Sequence, residues 1–148
     1  MADDSTAPAR PVVVLDTNVL VQSIPRRGPF RPIIEGFDAG RFVLVVSTEI
    51  LLEYEEVLGL IGGPTAWSSF EDLITARAAF VQRVDPTFFW RAIVPDPDDD
   101  KFVDAAVAGG ADWVVTEDSH YDVLRRDGRL TVRPIGPLDF IARYVGAG

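Results

Sequence analysis

Three times in this chain an unbroken run of β-branched and apolar residues ends at polar residues that open a helical stretch. Val12 to Leu15 precedes Asp16, Phe42 to Val46 precedes Ser47, and Trp113 to Thr116 precedes Glu117 and Asp118. A strand solvated on one face alternates apolar and polar residues, whereas a strand covered on both faces does not. These runs read as buried strands. The helices between them read as crossovers of a mostly parallel sheet, so the fold class is α/β. Helices are expected from Arg31 to Ala39, from Ser47 or Thr48 to about Leu58 with a stop at Gly59, and from Ala66 to Arg83. Further helices are expected from Asp98 to Gly109, from Tyr121 to Arg126 and from Pro137 to Val145. Phe88 to Val94 reads as a short strand or edge segment, and Leu130 to Arg133 as the last strand.

The chain has 148 residues, which suits one domain with a real core. Residues 1–10 are polar and contain proline, and read as a flexible start; residues 11–146 read as a single domain. No signal-peptide pattern and no apolar run of about 20 residues is present, so a soluble cytoplasmic protein is expected, with no membrane contact. Lys101 is the single lysine among 14 basic residues, an arginine bias that hints at a bacterial GC-rich genome. The absence of cysteine excludes a disulfide scaffold and a thiolate metal site, and the single histidine, His120, excludes a multi-histidine zinc site.

The carboxylates carry the chemical signal. Asp16 follows the first strand, at the edge where ligands of parallel sheets bind, and it suits a helix N-cap equally well. In STEILLEYEEVL, Ile50, Leu51, Tyr54, Val57 and Leu58 form one apolar stripe. Glu53 and Glu55 flank it on opposite sides, and geometry does not choose between them, while Glu49 and Glu56 face solvent. In DPDDDKFVDAAVAGG the core stripe is Phe102, Val103 and Ala106; Asp99 projects from the same face, at the helix N-terminus. Asp100 can reach the same place from its edge, Asp98 suits the N-cap, and Asp104 is expected to face solvent. Asp118 again lies just past a strand, with Thr116 beside it. Acids converging with no lysine near them would not stay ionised together, and a hard divalent cation resolves the conflict. Mg²⁺ or Mn²⁺, one ion or two, suits attack of water on a phosphodiester.

Over about Val12 to Val145 the sequence resembles PIN-domain nucleases, particularly the VapC-like toxins of toxin–antitoxin systems. The resemblance rests on VVVLDTNVL (Asp16, Thr17, Asn18), VVSTEILLEYEEVL (Ser47, Glu53), DPDDDKFVDAAVAGGAD (Asp99, Asp100) and DWVVTEDSH (Thr116, Asp118), in that order and spacing. It implies a three-layer α/β/α sandwich with a central mostly parallel sheet. It selects Glu53 over Glu55 and implies Asp16, Glu53, Asp99 and Asp118 as ligands of Mg²⁺ or Mn²⁺. Asn18 and Thr116 would orient ligands or water, Asp100 would assist, and Ser47 belongs to the second motif. The implied activity is endoribonuclease cleavage of single-stranded RNA. The implied partners are a cognate antitoxin and a second copy in a homodimer. Where many relatives carry a further acid, this chain has Ser119 and His120, and His120 reads as an exposed loop residue.

Two other classes fit part of the pattern. One is a PIN-fold RNA- or protein-binding module with weak catalysis. The other is a haloacid-dehalogenase-like phosphatase, for which Asn18 stands where a second aspartate is needed. Arg26, Arg27 and Arg31 are candidates for RNA phosphates, as are Arg125, Arg126 and Arg129. Phe88, Phe89 and Trp90 read as core or subunit interface. The net charge of -9 disfavours nonspecific RNA binding, but part of it belongs to the expected cation site.

Overall fold

The computed structural model describes residues 10–93 and 97–146. Five strands, β1 (Val12–Leu15), β2 (Val43–Val46), β3 (Val81–Arg83), β4 (Trp113–Val115) and β5 (Arg133–Ile135), lie in the order β3-β2-β1-β4-β5. Every neighbouring pair is parallel; Val13 sits opposite both Leu44 of β2 and Trp113 of β4. The helices are α1 (Thr17–Ser23), α2 (Arg31–Asp38), α3 (Thr48–Ala76), α4 (Asp100–Ala108) and α5 (Pro137–Phe140), the last continued by a π turn over Ile141–Val145.

The strand order decides where a ligand can bind. From β1 the chain steps outward to β2 and β3, then crosses back to β4 and β5 on the other side. Right-handed crossovers made in opposite directions put their helices on opposite faces. Helices α1, α2 and α3 therefore cover one face and α4 covers the other. The crevice opens between the carboxyl ends of β1 and β4, where the direction reverses. The strands flanking that crevice are buried on both faces: Val13, Val14, Leu15, Val114 and Val115 are all at most 1% exposed. Ile33 and Phe37 of α2 pack on one side, and Phe102, Val103 and Ala106 of α4 on the other. Each such aliphatic or aromatic side chain stabilises the fold by roughly 1.5–3 kcal/mol relative to exposure. No helix among the described residues is long and apolar enough to cross a membrane.

Several local expectations are corrected. The helix that begins at Thr48 does not stop at Gly59; it runs on until Gly63, whose φ of 74° breaks it, and Pro64 starts its second half. A glycine inside a well-packed helix is a modest penalty, but a left-handed glycine followed by proline ends the hydrogen-bond ladder. The second half ends at Ala76, and Val81–Arg83, expected as helix, is the edge strand β3. Its three residues are too few to show a period. The last strand is Arg133–Ile135 rather than Leu130 to Arg133; Pro134 lacks an N–H and is tolerated because β5 is an edge.

Residues 88–93 form no strand, and Val94 lies outside the described residues, as do 1–9 of the N-terminal segment. Phe88 and Phe89 are exposed rather than core, and Trp90 is half-buried. This segment is tied down by carboxylates of α4: the Trp90 N–H donates to Asp104 Oδ1 at 2.9 Å and the Ile93 N–H to Asp100 Oδ1 at 2.7 Å. Asp104 is therefore buried rather than solvent-facing, and its burial raises its carboxyl pKa above the usual range. Asp99, not Asp98, stands at the N-cap position of α4, after a 3-10 turn over Pro97–Asp99.

Candidate metal centre

The carboxyl ends of β1 and β4 bring Asp16 and Asp118 to the crevice. Asp16 occupies the N-cap position of α1, yet its side chain makes no capping hydrogen bond. Instead the Thr116 hydroxyl donates to Asp16 Oδ2 at 2.8 Å, while the Asp118 N–H donates to the Thr116 oxygen at 2.9 Å. Thr116 is thus the joint between the two strand ends, held by burial and by its own N–H donating to the Ile135 carbonyl of β5. Asp16 is buried, and burial raises its pKa; the Asp118 charge adds to the rise, and the Thr116 bond opposes it. An anion is thus held where water solvates it poorly, a situation found at sites that bind cations or move protons.

Glu53 reaches the crevice from α3 and is half-buried, whereas Glu55 is exposed. One Glu53 oxygen accepts a short hydrogen bond from the Thr17 hydroxyl of α1, and the other pairs with Lys101 Nζ at 2.7 Å. Lys101 also donates to the Asp98 carbonyl at 2.5 Å. The expectation that no lysine serves the acidic cluster is therefore wrong. The ammonium comes from the first turn of α4 and the acid it balances from α3, and spacing along the sequence does not show where a long flexible side chain ends. Beneath Glu53, Tyr54 is fully buried and its hydroxyl donates to the Leu15 carbonyl at 2.6 Å, holding the end of β1.

Tyr121 marks the centre of the arrangement. Burial raises its phenol pKa most, and the charges of Asp16, Asp99, Asp118 and Glu53 all raise it further. The charges of all four acids thus act on one buried phenol, whose hydroxyl lies 3.5 Å from the Asp99 carbonyl. His120 is exposed, as expected, and it also lies beside the acids: donor atoms of Asp99, Asp118 and His120 are all within 4.8 Å of one another. Its N–H donates to Asp118 Oδ1 at 2.8 Å, and its Nδ1 lies 3.4 Å from the same oxygen. Being two residues from Asp118 in the turn that follows β4 was the signal for it in the sequence.

Other candidates are placed elsewhere. Ser47 caps α3, its Oγ accepting from the Ile50 N–H at 3.2 Å. Asp100 binds the Ile93 backbone and lines a neighbouring cleft of about 420 Å³ with Ser47, Arg91, Lys101 and Asp104. Asn18 is exposed beside Asp16. Arg26 and Arg27 are exposed in the turn after α1, whereas Arg31 is spent on the Ile24 carbonyl at 2.6 Å and on Glu35. Arg129 is engaged by Asp127.

The donor set suits a hard divalent cation. It offers carboxylate oxygens and one imidazole, and no thiolate exists in the chain. Two donors bound to one ion at about 2.0–2.4 Å stand at most about twice that distance apart, so a spread within 4.8 Å needs only small side-chain adjustments.

Comparison with known proteins bears on the family and the fold. No curated protein matches the chain. Among solved structures the fold is similar to that of a chain in the VapBC2 complex from Rickettsia felis bound to a DNA fragment from its promoter. That match has a TM-score of 0.56 at 15% identity and covers 83% of this chain and 98% of the other. A family model described as PIN domain matches residues 12–120, which takes in Asp16, Glu53, Asp99 and Asp118 and sets aside the phosphatase alternative. The chain belongs to the PIN domain family.

Proposed function

We propose that this protein is a Mg²⁺- or Mn²⁺-dependent endoribonuclease that cleaves single-stranded RNA, and that it is the toxin of a toxin–antitoxin pair. The observation that carries the reading is that donor atoms of Asp99, Asp118 and His120 lie within 4.8 Å of one another, with Asp16 joined to Asp118 through Thr116. Such a set of anions is stable only when cations balance it, and Lys101 balances one. Asp99 and Asp118, together with Asp16 and Glu53, would hold a divalent ion, which would supply charge neutralisation of a phosphodiester and a nucleophilic water.

The chain's own groups do the rest. Thr116 sets the relative position of Asp16 and Asp118 through its two hydrogen bonds. Thr17 and Lys101 fix both Glu53 oxygens, so this carboxylate is a steady acceptor at the rim. Asp16, whose affinity for a proton burial raises, accepts a proton from water near the crevice. Arg26 and Arg27, exposed after α1, are the candidate contacts for substrate phosphates.

Membership of the PIN domain family and the fold shared with a chain of VapBC2 support the toxin assignment and a protein antitoxin as inhibitor; a homodimer and a bacterial cytoplasmic setting belong to the same proposal. The test combines calorimetric titration with Mn²⁺ and gel analysis of a mixed-sequence single-stranded RNA. Mn²⁺ binding with cleavage lost in Asp16→Asn and Asp99→Asn supports the reading. Full cleavage by either folded variant, or RNA left intact by the wild type with Mn²⁺ bound, removes it and leaves a binding module.

A further inference from the structure

The histidine of this chain stands where it can change which metal the site accepts. His120 is the only imidazole in 148 residues, and the turn over Ser119–Arg125 places it against the acids rather than away from them. Asp118 caps that turn through the His120 N–H at 2.8 Å, which fixes the backbone and leaves the ring beside the carboxylate. The ring nitrogen Nδ1 lies 3.4 Å from Asp118 Oδ1, and a donor atom of each of Asp99, Asp118 and His120 falls within 4.8 Å of the others. The ring is partly exposed, so a cation can reach it from solvent without rearrangement of the core.

Resting on the metal-dependent reading above, we propose that His120 is a nitrogen ligand of the divalent ion, alongside Asp99 and Asp118, and that the site therefore takes Mn²⁺, and Co²⁺ more strongly still, in preference to Mg²⁺. The chemistry follows from donor type. Mg²⁺ favours an all-oxygen octahedral shell and gives up its waters reluctantly. Imidazole suits the later first-row divalent ions, whose affinity for nitrogen rises along the series. A carboxylate at position 120 would separate the two ions less than an imidazole does. Neither Asp16 nor Glu53 offers this discrimination, because both are oxygen donors.

The experiment uses the full chain with Mn²⁺ as probe at pH 8. Wild type, His120→Gln and His120→Asp are compared by pulsed EPR for nitrogen coupling to Mn²⁺, and by calorimetry with Mn²⁺ and Mg²⁺. The wild type is expected to show imidazole nitrogen coupling that vanishes in His120→Gln. Mn²⁺ affinity should fall about ten-fold or more in that variant, since losing a ligand weakens binding at least as much as losing the group that orients one. Mg²⁺ affinity should change less than about two-fold, and His120→Asp should bind Mg²⁺ more tightly than the wild type does. Thermal unfolding of each variant confirms that it is folded. Mn²⁺ bound to the wild type without nitrogen coupling, or bound equally by His120→Gln, overturns the role of His120 and leaves the metal-dependent reading standing. Absence of Mn²⁺ binding by the wild type overturns both.

Discussion

Tyr54→Phe removes one oxygen atom and nothing else, so its effect can be worked from the structure. The ring is fully buried and packs edge-on against Phe70, with centroids 5.9 Å apart, and phenylalanine keeps that packing. What is lost is the hydroxyl 2.6 Å from the Leu15 carbonyl. The paired rungs of β1 with β2 are Val12 with Val43 and Val13 with Leu44, so Leu15 lies beyond them, and at 1% exposure water does not replace the lost donor. A buried carbonyl left without a donor costs about 1–3 kcal/mol. At roughly 2–4 °C per kcal/mol for a domain near this size, the expected fall in Tm is about 6 °C. Differential scanning calorimetry measures it, and urea melts should show a lower midpoint with an unchanged m-value. Burial, and then the charges of Asp16 and Glu53, hold the phenol pKa well above its ordinary value, so the hydroxyl remains a donor and the loss should be the same from pH 6 to 9. A Tm within about 1 °C of wild type at every pH, against this estimate of several degrees, would show that Tyr54 does not hold the end of β1.

Asp16→Asn should abolish RNA cleavage and, in EDTA, gain stability relative to wild type as pH rises. The folded chain keeps a proton on Asp16 that the unfolded chain releases from about pH 4, so wild-type stability drains away between that pH and the raised folded value, while the asparagine variant has no such loss; urea melts at pH 4 and pH 7 compare the two. Asp104→Ala should lose about 1–3 kcal/mol in urea melts, because the Trp90 N–H loses its acceptor, whereas Asp104→Asn keeps an acceptor and should lose less. Lys101→Met should lower metal-free stability by no more than about 1 kcal/mol, since both partners are partly exposed, and should bind Mn²⁺ more tightly because Glu53 is released; a thermal shift series with and without Mn²⁺ reads both effects.

The parallel sheet and the acidic residues that form the candidate site were legible because both depend on short-range pattern. Val12–Leu15, Val43–Val46 and Trp113–Val115 are buried on both faces, and a strand in that setting must be apolar without interruption. Asp16 and Asp118 were legible for a related reason: a polar residue directly past a buried parallel strand has the ligand edge of the sheet as its surroundings. The errors fell where pattern is short or where a neighbour decides. Val81–Arg83 and Arg133–Ile135 are three-residue edge strands, and the helix-like alanines before β3 and the proline inside β5 argued against them. Asp104 has the spacing of a solvent-facing residue on α4. It is buried because residues 88–93 lie over it and donate a backbone N–H that no pattern within the helix announces.

The amino-acid order thus settles the class of fold, the edge at which chemistry can occur and the oxygen-rich character of the candidate site, because each follows from burial or position within a few residues. Partnership depends on folding: that Lys101 balances Glu53, that Thr116 joins Asp16 to Asp118, and that His120 faces Asp99 across the crevice. Apart from Thr116 and Asp118, which are neighbours in one turn, these pairs lie 48, 100 and 21 positions apart along the chain. Whether two side chains so separated meet depends on the crossing of α4 over the sheet and on the turn after β4, and that is a matter of packing among distant elements rather than of local preference.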